Sequence, residues 1–225
     1  MEAFVGFYWT LPVNWSGFRS LPADVEVAVV KSRTIRYQRA MVQNWVRNNP
    51  PAELVDEIAF MDTRPDRATE AVREALSKAQ KAFGNHHKAK LLYVKFELMQ
   101  WRRNIHLLNY VEEQGIYAVP LSPDPLTIDG QYFDPREHFR TWREAEEAAM
   151  AGFKVAATAG LRHALSEIPE GPNRHKNIAD FLNERGIKAY RGGGWTAENV
   201  RKQLMRGKVS SIASSRSGDL DRDIS

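Results

Sequence analysis

The sequence predicts an α/β protein: a mostly parallel sheet with flanking helices, then one long helix, then a small all-α domain of helix-turn-helix type. Three observations predict it. Short β-prone apolar runs alternate four times with helix-spaced segments over about 120 residues, which is the pattern of strands joined by helical crossovers. From Pro135 to Glu167 the spacing is helical without a break. In residues 175–206 two short helical segments flank a glycine-rich interruption and gather basic charge.

The bulk properties narrow the class. A chain of 225 residues can bury one substantial core plus a smaller module. Hydrophobic residues at 43% and charged ones at 27% are ordinary for a globular protein in water. With no cysteine there is neither a disulfide framework nor a thiolate metal site, which suits a reducing cytoplasm. The opening MEAFVGFYWTLPVNW lacks a basic region before its apolar run, and no apolar stretch reaches the length of a membrane span. A cytoplasmic protein with no membrane partner and no cofactor is the expectation.

The elements follow in chain order. Phe4–Trp9 is a first strand. Pro12, Gly17 and Pro22 make a loop after it, and Val25–Val30 reads as a further short strand. Ile35, Tyr37, Met41, Val42, Trp45 and Val46 repeat at helical spacing until Asn48-Asn49-Pro50-Pro51 ends the helix. Glu53–Phe60 is a second strand, and Thr63-Arg64-Pro65 opens a helix from about Arg67 to Phe83, stopped by Gly84-Asn85. Leu91–Phe96 is a buried third strand, Ile105–Glu113 a helix closed by Gly115, and Ile116–Leu121 a fourth strand. Residues 1–134 therefore form the α/β domain.

The long helix, within residues 135–168, carries Phe139, Trp142 and Phe153 early and a small-residue face of Ala145, Ala149, Gly152, Ala156, Ala159 and Gly160. Such a face admits a second helix at close range. A helix of roughly 45–50 Å is too long to bury that face on a small sheet domain, so a second copy of the chain is the expected cover, against an internal packing role. Pro169-Glu170-Gly171-Pro172 then breaks the helix, and the serine-rich residues 209–225 read as disordered.

Residues 169–208 form the terminal module. Ile178, Phe181 and Leu182 define its first helix, ended near Arg185 by Gly186. Ile187–Tyr190 reads as extended, and Arg191-Gly192-Gly193-Gly194 permits a sharp turn and close approach to a phosphate. Thr196 caps a second helix with Glu198 in its first turn. Ala197, Val200 and Leu204 make its inner side with Trp195 as anchor, and Asn199, Lys202 and Arg206 its outer side. Residues 171–208 hold nine Lys or Arg against three acids, a net +6, whereas the whole chain is +4 and the remainder therefore −2. Charge so concentrated marks a phosphate-binding surface rather than a merely solvated helix face. The residues assigned to double-stranded DNA are Arg191, Gly193, Thr196, Asn199, Arg201, Lys202 and Arg206.

Other constellations carry less. His86-His87 has no cysteine or nearby acid and reads as a surface pair rather than a metal site. Gly192–Gly194 lacks the ending of a nucleotide-binding loop, and Glu144, Glu146 and Glu147 fall on different helix faces.

The order of parts resembles the serine recombinase family of resolvases and invertases. Ile178-Ala179, Leu182 through Ile187, Arg191-Gly192-Gly193, Trp195 and Val200-Arg201 are similar to that family's DNA-binding domain. Val5-Gly6-Phe7-Tyr8 resembles its first strand, and Ile35, Tyr37, Gln38 and Arg39 its first helix. Arg64-Pro65 and the helix after it resemble the segment before its third strand, and Arg103-Asn104-Ile105 through Glu113-x-Gly115-Ile116 the end of its catalytic arginine motif and the following helix. The resemblance implies a resolvase-like α/β domain, an oligomerisation helix and a DNA-binding helix-turn-helix domain. It also implies a serine nucleophile just after the first strand, two residues beyond an arginine, forming a phosphoseryl bond with DNA. Here those positions are Leu11 and Trp9. In the second motif, Lys95 to Asn104, the acid–arginine pair is broken and only Arg103 maps well.

The function so read is a DNA-binding regulatory or architectural factor, acting as a homodimer or higher oligomer, without strand-cleaving activity. One alternative is an active recombinase with a displaced nucleophile, Ser16 or Ser20 beside Arg19. The other is a protein whose α/β domain binds a protein or ligand.

Overall fold

The computed structural model describes residues 2–13, 16–62, 71–77, 89–99 and 105–206. The first half runs β1 (Glu2–Thr10), α1 (Val25–Lys31), α2 (Arg33–Asn48), β2 (Ala52–Met61) and α3 (residues 71–77). Then come β3 (Lys90–Val94), a 3-10 turn (Phe96–Met99), α4 (Ile105–Glu113), β4 (Ala118–Leu121), β5 (Leu126–Ile128) and β6 (Gln131–Phe133). Three helices finish the described chain: α5 (Pro135–Glu167), α6 (Arg174–Glu184) and α7 (residues 197–206). The expected α/β class holds. Four parallel strands stand in the order β2-β1-β3-β4, with seven helices among the described residues. No helix among the described residues is long and apolar enough to cross a membrane. The expected helix from Arg67 to Phe83 is described only as α3, and the segments Arg102-Arg103-Asn104, His86-His87 and 209–225 lie outside the described residues.

The chain divides into two compact units, one ending at Trp142 and the other beginning at Arg143. In the first, β1 is a central strand with Val5, Phe7 and Tyr8 fully buried, the signature of a parallel strand covered on both faces. α2 packs across β1, β2 and β3. Tyr8 lies folded over Gly6, where a β-carbon would collide with its hydroxyl. That hydroxyl donates to Glu57 Oε1 at 2.7 Å, and Arg39 binds the same carboxylate at 2.9 and 3.0 Å while also pairing with Glu26 on α1. Burial, with Glu57 beside it, drives the Tyr8 phenol far above its ordinary range and keeps it a donor.

The strand order contains a switch point. From β1 the chain moves to β2 on one side, then crosses to β3 on the other, so the carboxyl ends of β1 and β3 face a crevice. β3 pairs with β1 only from Phe4 to Phe7, although β1 runs to Thr10. Past that point the Trp9 N–H donates to Gln38 Oε1 at 3.1 Å, and Gln38 Nε2 donates to the Trp9 carbonyl at 2.7 Å and the Thr34 carbonyl at 3.1 Å. A fully buried amide on α2 thus satisfies the backbone where the neighbouring strand has departed.

Four expectations are corrected. Residues 25–30, expected as a strand, form most of α1: the Asp24 carboxylate accepts from the Val27 N–H at 3.0 Å, and Val27 and Val30 stay exposed, so capping overrides the β-branched run. Phe96 belongs to the 3-10 turn rather than to β3, and Ile116 lies ahead of β4. An antiparallel hairpin, β5–β6, occupies 126–133, where no element was expected; Asp129 and Gly130 both take positive φ, 51° and 75°, as its two-residue turn requires.

The long helix spans Pro135–Glu167 as read. Its final third is not free for a partner. Ala157, Leu161 and Ala164 share one core with Ile178, Ala179, Leu182, Trp195 and Val200. A β-carbon on Gly160 would meet Ile187 at 2.8 Å and Leu182 at 3.0 Å, so part of the small-residue face serves internal packing. Arg174 closes the helix, donating to the Leu165 and Ile168 carbonyls at 3.1 Å each.

Gln38→Met keeps the volume of the α2 clamp but orphans both backbone groups of Trp9. We expect a loss of about 1–3 kcal/mol for each buried group left unpaired, read as a lower urea midpoint with unchanged slope.

Candidate nucleic-acid interface and a cavity at the sheet edge

In the second unit one side chain ties α6 to the residue that leads into α7. Asn183 of α6 donates through Nδ2 to the Trp195 carbonyl at 2.9 Å and accepts from the Trp195 N–H at 2.8 Å. Both backbone groups of the residue leading into α7 are therefore tied to α6, and Trp195 is buried. Gly186, at φ 67°, ends α6 as expected. The extended stretch expected at Ile187–Tyr190 is not a strand: Ala189 donates to the Gly193 carbonyl at 2.8 Å and Gly192 to the Ala189 carbonyl at 2.7 Å, closing a compact turn.

Each residue assigned to DNA takes a definite place. Thr196 and Asn199 cap α7 reciprocally: the Asn199 N–H donates to Thr196 Oγ1 at 3.2 Å, and the Thr196 N–H donates to Asn199 Oδ1 at 2.8 Å. Asn199 Nδ2 also reaches the Gly194 carbonyl at 3.3 Å, so this amide serves the helix start rather than projecting outward. Arg201 forms a two-pronged pair with Glu198, both contacts at 2.9 Å, and Lys202 stands 3.4 Å from the same carboxylate. Those hydrogen bonds, Arg201 first, hold the Glu198 carboxyl down to about 2. Arg191 and Arg206 are exposed and carry no ion pair among the described residues. Gly193 is exposed with open space at its α-carbon, whereas Gly192, at φ 78°, approaches Phe153 so closely that a β-carbon would sit 2.9 Å from the ring. Val200 is buried and Leu204 partly so, but Ala197, expected on the inner side, is exposed. The outward face of α7 consists of Glu198, Arg201, Lys202, Met205 and Arg206, with Met205 at 54% exposure.

In the first unit, the crevice at the carboxyl ends of β1 and β3 holds a cavity of about 290 Å³. Leu11, at the position where the family resemblance calls for a serine, is 8% exposed and lines it. Trp9, Phe96, Phe139 and Trp142 supply aromatic wall, and Phe96 stands edge-on to Trp9 at 6.0 Å and to Phe139 at 5.1 Å. Ser16 reaches this cavity, but its hydroxyl donates to the Val13 carbonyl at 3.1 Å, and no arginine bonds to it among the described residues. Ser20 and Arg19 are exposed and do not line the cavity among the described residues. Lys31, Arg33, Thr34 and His138 complete the rim, with His138 Nε2 3.3 Å from Thr34 Oγ1. In the sequence Trp9 ends the first strand, and with Leu11 it departs from the family motif, but neither residue by itself signals a cavity. Apolar residues at the carboxyl ends of β1 and β3 were the available signal, once strand order placed both ends at one switch point.

Burial first, then the neighbouring Arg33 guanidinium, lowers the His138 imidazole below its ordinary 6.5. The folded protein therefore binds this proton less readily than the unfolded chain, so the stabilisation is complete above pH 6.5 and is lost as pH falls toward the folded value. We expect the urea midpoint to drop between about pH 7.5 and about pH 5, with a smaller drop in His138→Gln; equal drops in both proteins would remove His138 as the cause.

Comparison with protein-family models, with curated proteins and with solved structures finds no match to this chain.

Proposed function

We propose that the chain is a DNA-binding regulatory or architectural factor whose second unit works as a helix-turn-helix reader, with α7 the helix presented to the duplex. The observation that carries this reading is the outward face of α7, where Arg201, Lys202 and Arg206 are exposed behind a capped helix start. Arg191 in the preceding turn adds a cation without an acidic partner among the described residues. Phosphate contact needs such exposed charge, and reading base edges needs it on an element that fits a major groove. Glu198 lies on the same face and engages two of the cations, so contact with phosphates exchanges a carboxylate partner for a stronger polyanion.

Strand cleavage is no part of this proposal. Among the described residues Leu11 occupies the expected serine position among aromatic rings, the Ser16 hydroxyl in the same cavity is bonded to the Val13 carbonyl, and Arg33 alone of the arginines lines it, short of the guanidinium cluster a pentavalent phosphorus needs. The resolvase-like reading of the first unit rests on the motif resemblance and on the parallel sheet with β1 central.

Fluorescence anisotropy with a labelled duplex enriched from a random library tests the proposal. Lys202→Ala with Arg206→Ala should weaken binding by about 1–3 kcal/mol for each side chain reaching a base, whereas a phosphate contact should mainly flatten the salt dependence. Glu198→Gln should tighten binding by freeing Arg201 and Lys202. Unchanged affinity in all these variants would refute α7 as the reader. A covalent protein–DNA adduct lost in Ser16→Ala or Ser20→Ala would instead establish the recombinase reading.

A homodimer through α5 belongs to the same proposal, supported by Val155 at 73% exposure beside exposed Gly152, Ala156 and Ala159. Sedimentation equilibrium should give a dimer that Val155→Glu converts to monomer; a monomeric wild-type protein at the same concentrations would discard this interface.

A further inference from the structure

We propose that the cavity at the carboxyl ends of β1 and β3 binds a small aromatic carboxylate. Its walls are rings and aliphatic groups: Trp9, Leu11, Phe96, Phe139 and Trp142. Phe96 stands edge-on to Trp9 at 6.0 Å and to Phe139 at 5.1 Å, so the wall is built of rings set at steep angles to one another, a surface suited to an aromatic ligand. At about 290 Å³ the cavity sits near the lower end of ligand sites, which suits a ligand of one or two fused rings.

The rim sets the charge of the ligand. Lys31 is exposed and has no acidic partner among the described residues. The Arg33 guanidinium lies 5.2 Å over the Phe133 ring centroid, held in place by a ring and not neutralised by a carboxylate. No aspartate or glutamate lines the cavity among the described residues. His138 Nε2 lies 3.3 Å from Thr34 Oγ1 on the same rim and brings no negative charge to it. An anion at the rim therefore meets two cations, and a guanidinium fork matches a carboxylate in shape. Thr10, Ser16, Ser32, Thr34 and His138 add hydroxyls and an imidazole to the lining, so adenosine monophosphate is the competing ligand class that the experiment compares.

The Gln38 clamp explains why the site exists in this chain. By bonding both backbone groups of Trp9 it lets β1 run on past Phe7 without β3 alongside, and the space so opened is lined by side chains from the end of β1 and by Phe96 of the 3-10 turn that follows β3.

The experiment uses the full chain without DNA, so its outcome is independent of the DNA-binding proposal. Isothermal titration with 1-naphthoate should show one saturable site with a Kd on the order of 10–100 µM. The neutral isostere 1-naphthalenemethanol should bind about tenfold more weakly or worse, because it makes no charge-assisted contact at the rim. Lys31→Ala with Arg33→Ala, both at exposed positions, should erase that difference while leaving the alcohol unaffected. Ser16→Trp, which places a bulky ring at the cavity from an exposed position, should abolish binding of both, with thermal unfolding used to verify that each variant folds. No saturable binding to folded wild-type protein, equal binding of acid and alcohol, or tighter binding of adenosine monophosphate than of 1-naphthoate would each overturn the assignment.

Discussion

The bond pair between the Gln38 amide and the Trp9 backbone is the constraint on which the first unit turns. A parallel sheet normally satisfies a central strand from both sides, and β1 loses one neighbour after Phe7. Leaving the Trp9 N–H and carbonyl buried and unpaired would cost several kcal/mol, enough to consume much of the stability of a small domain. Gln38 removes that penalty from a helix that itself packs across three strands, so the divergence of β1 and β3 becomes a stable feature. Tyr8, Glu57, Arg39 and Glu26 form a second polar chain linking β1, β2, α2 and α1. Between them, the two networks hold α2 against the sheet, and α2 in turn brings Arg33 and Thr34 to the rim of the cavity.

The second unit follows a different economy. Its polar side chains are largely committed to holding short helices and turns together. Asn183 clasps the segment before α7, Thr196 and Asn199 cap its start, and Arg174 closes α5. A hydrophobic core built on Ala157, Leu161, Ile178, Leu182, Trp195 and Val200 is small, so such clasps matter more than they would in a larger domain. Arg191, Arg201, Lys202 and Arg206 remain outward, with Glu198 and Met205 beside them on α7.

Much of the fold was legible because periodicity and punctuation agreed. The strand at Phe4–Trp9, the helix beginning near Ile35 and the long helix from Pro135 each showed one dominant period and clear stops. Where a local preference and a cap disagreed, the cap won, as at Val25–Val30. The hairpin turn at Asp129-Gly130 carried a readable turn signal, but strands of three residues are too short for alternation to announce them. Asn199 illustrates a different limit: its place on the second helix was foreseen, yet whether its amide faces solvent or the helix start depends on a hydrogen bond that spacing does not reveal.

By itself the sequence determined the α/β class, the parallel pattern, the unbroken 33-residue helix and the concentration of basic charge near residues 171–208. These follow from residue order alone, since hydrophobic period, glycine and proline stops and charge counts are all local quantities. Tertiary structure alone decided that Leu11 lines an aromatic cavity, that Gly192 is pressed against Phe153, and that Asn183 clasps both backbone groups of Trp195. Each of those facts is a meeting of elements far apart in the chain or of side chains choosing among partners. Such meetings are set by packing and strand order, which no local pattern encodes.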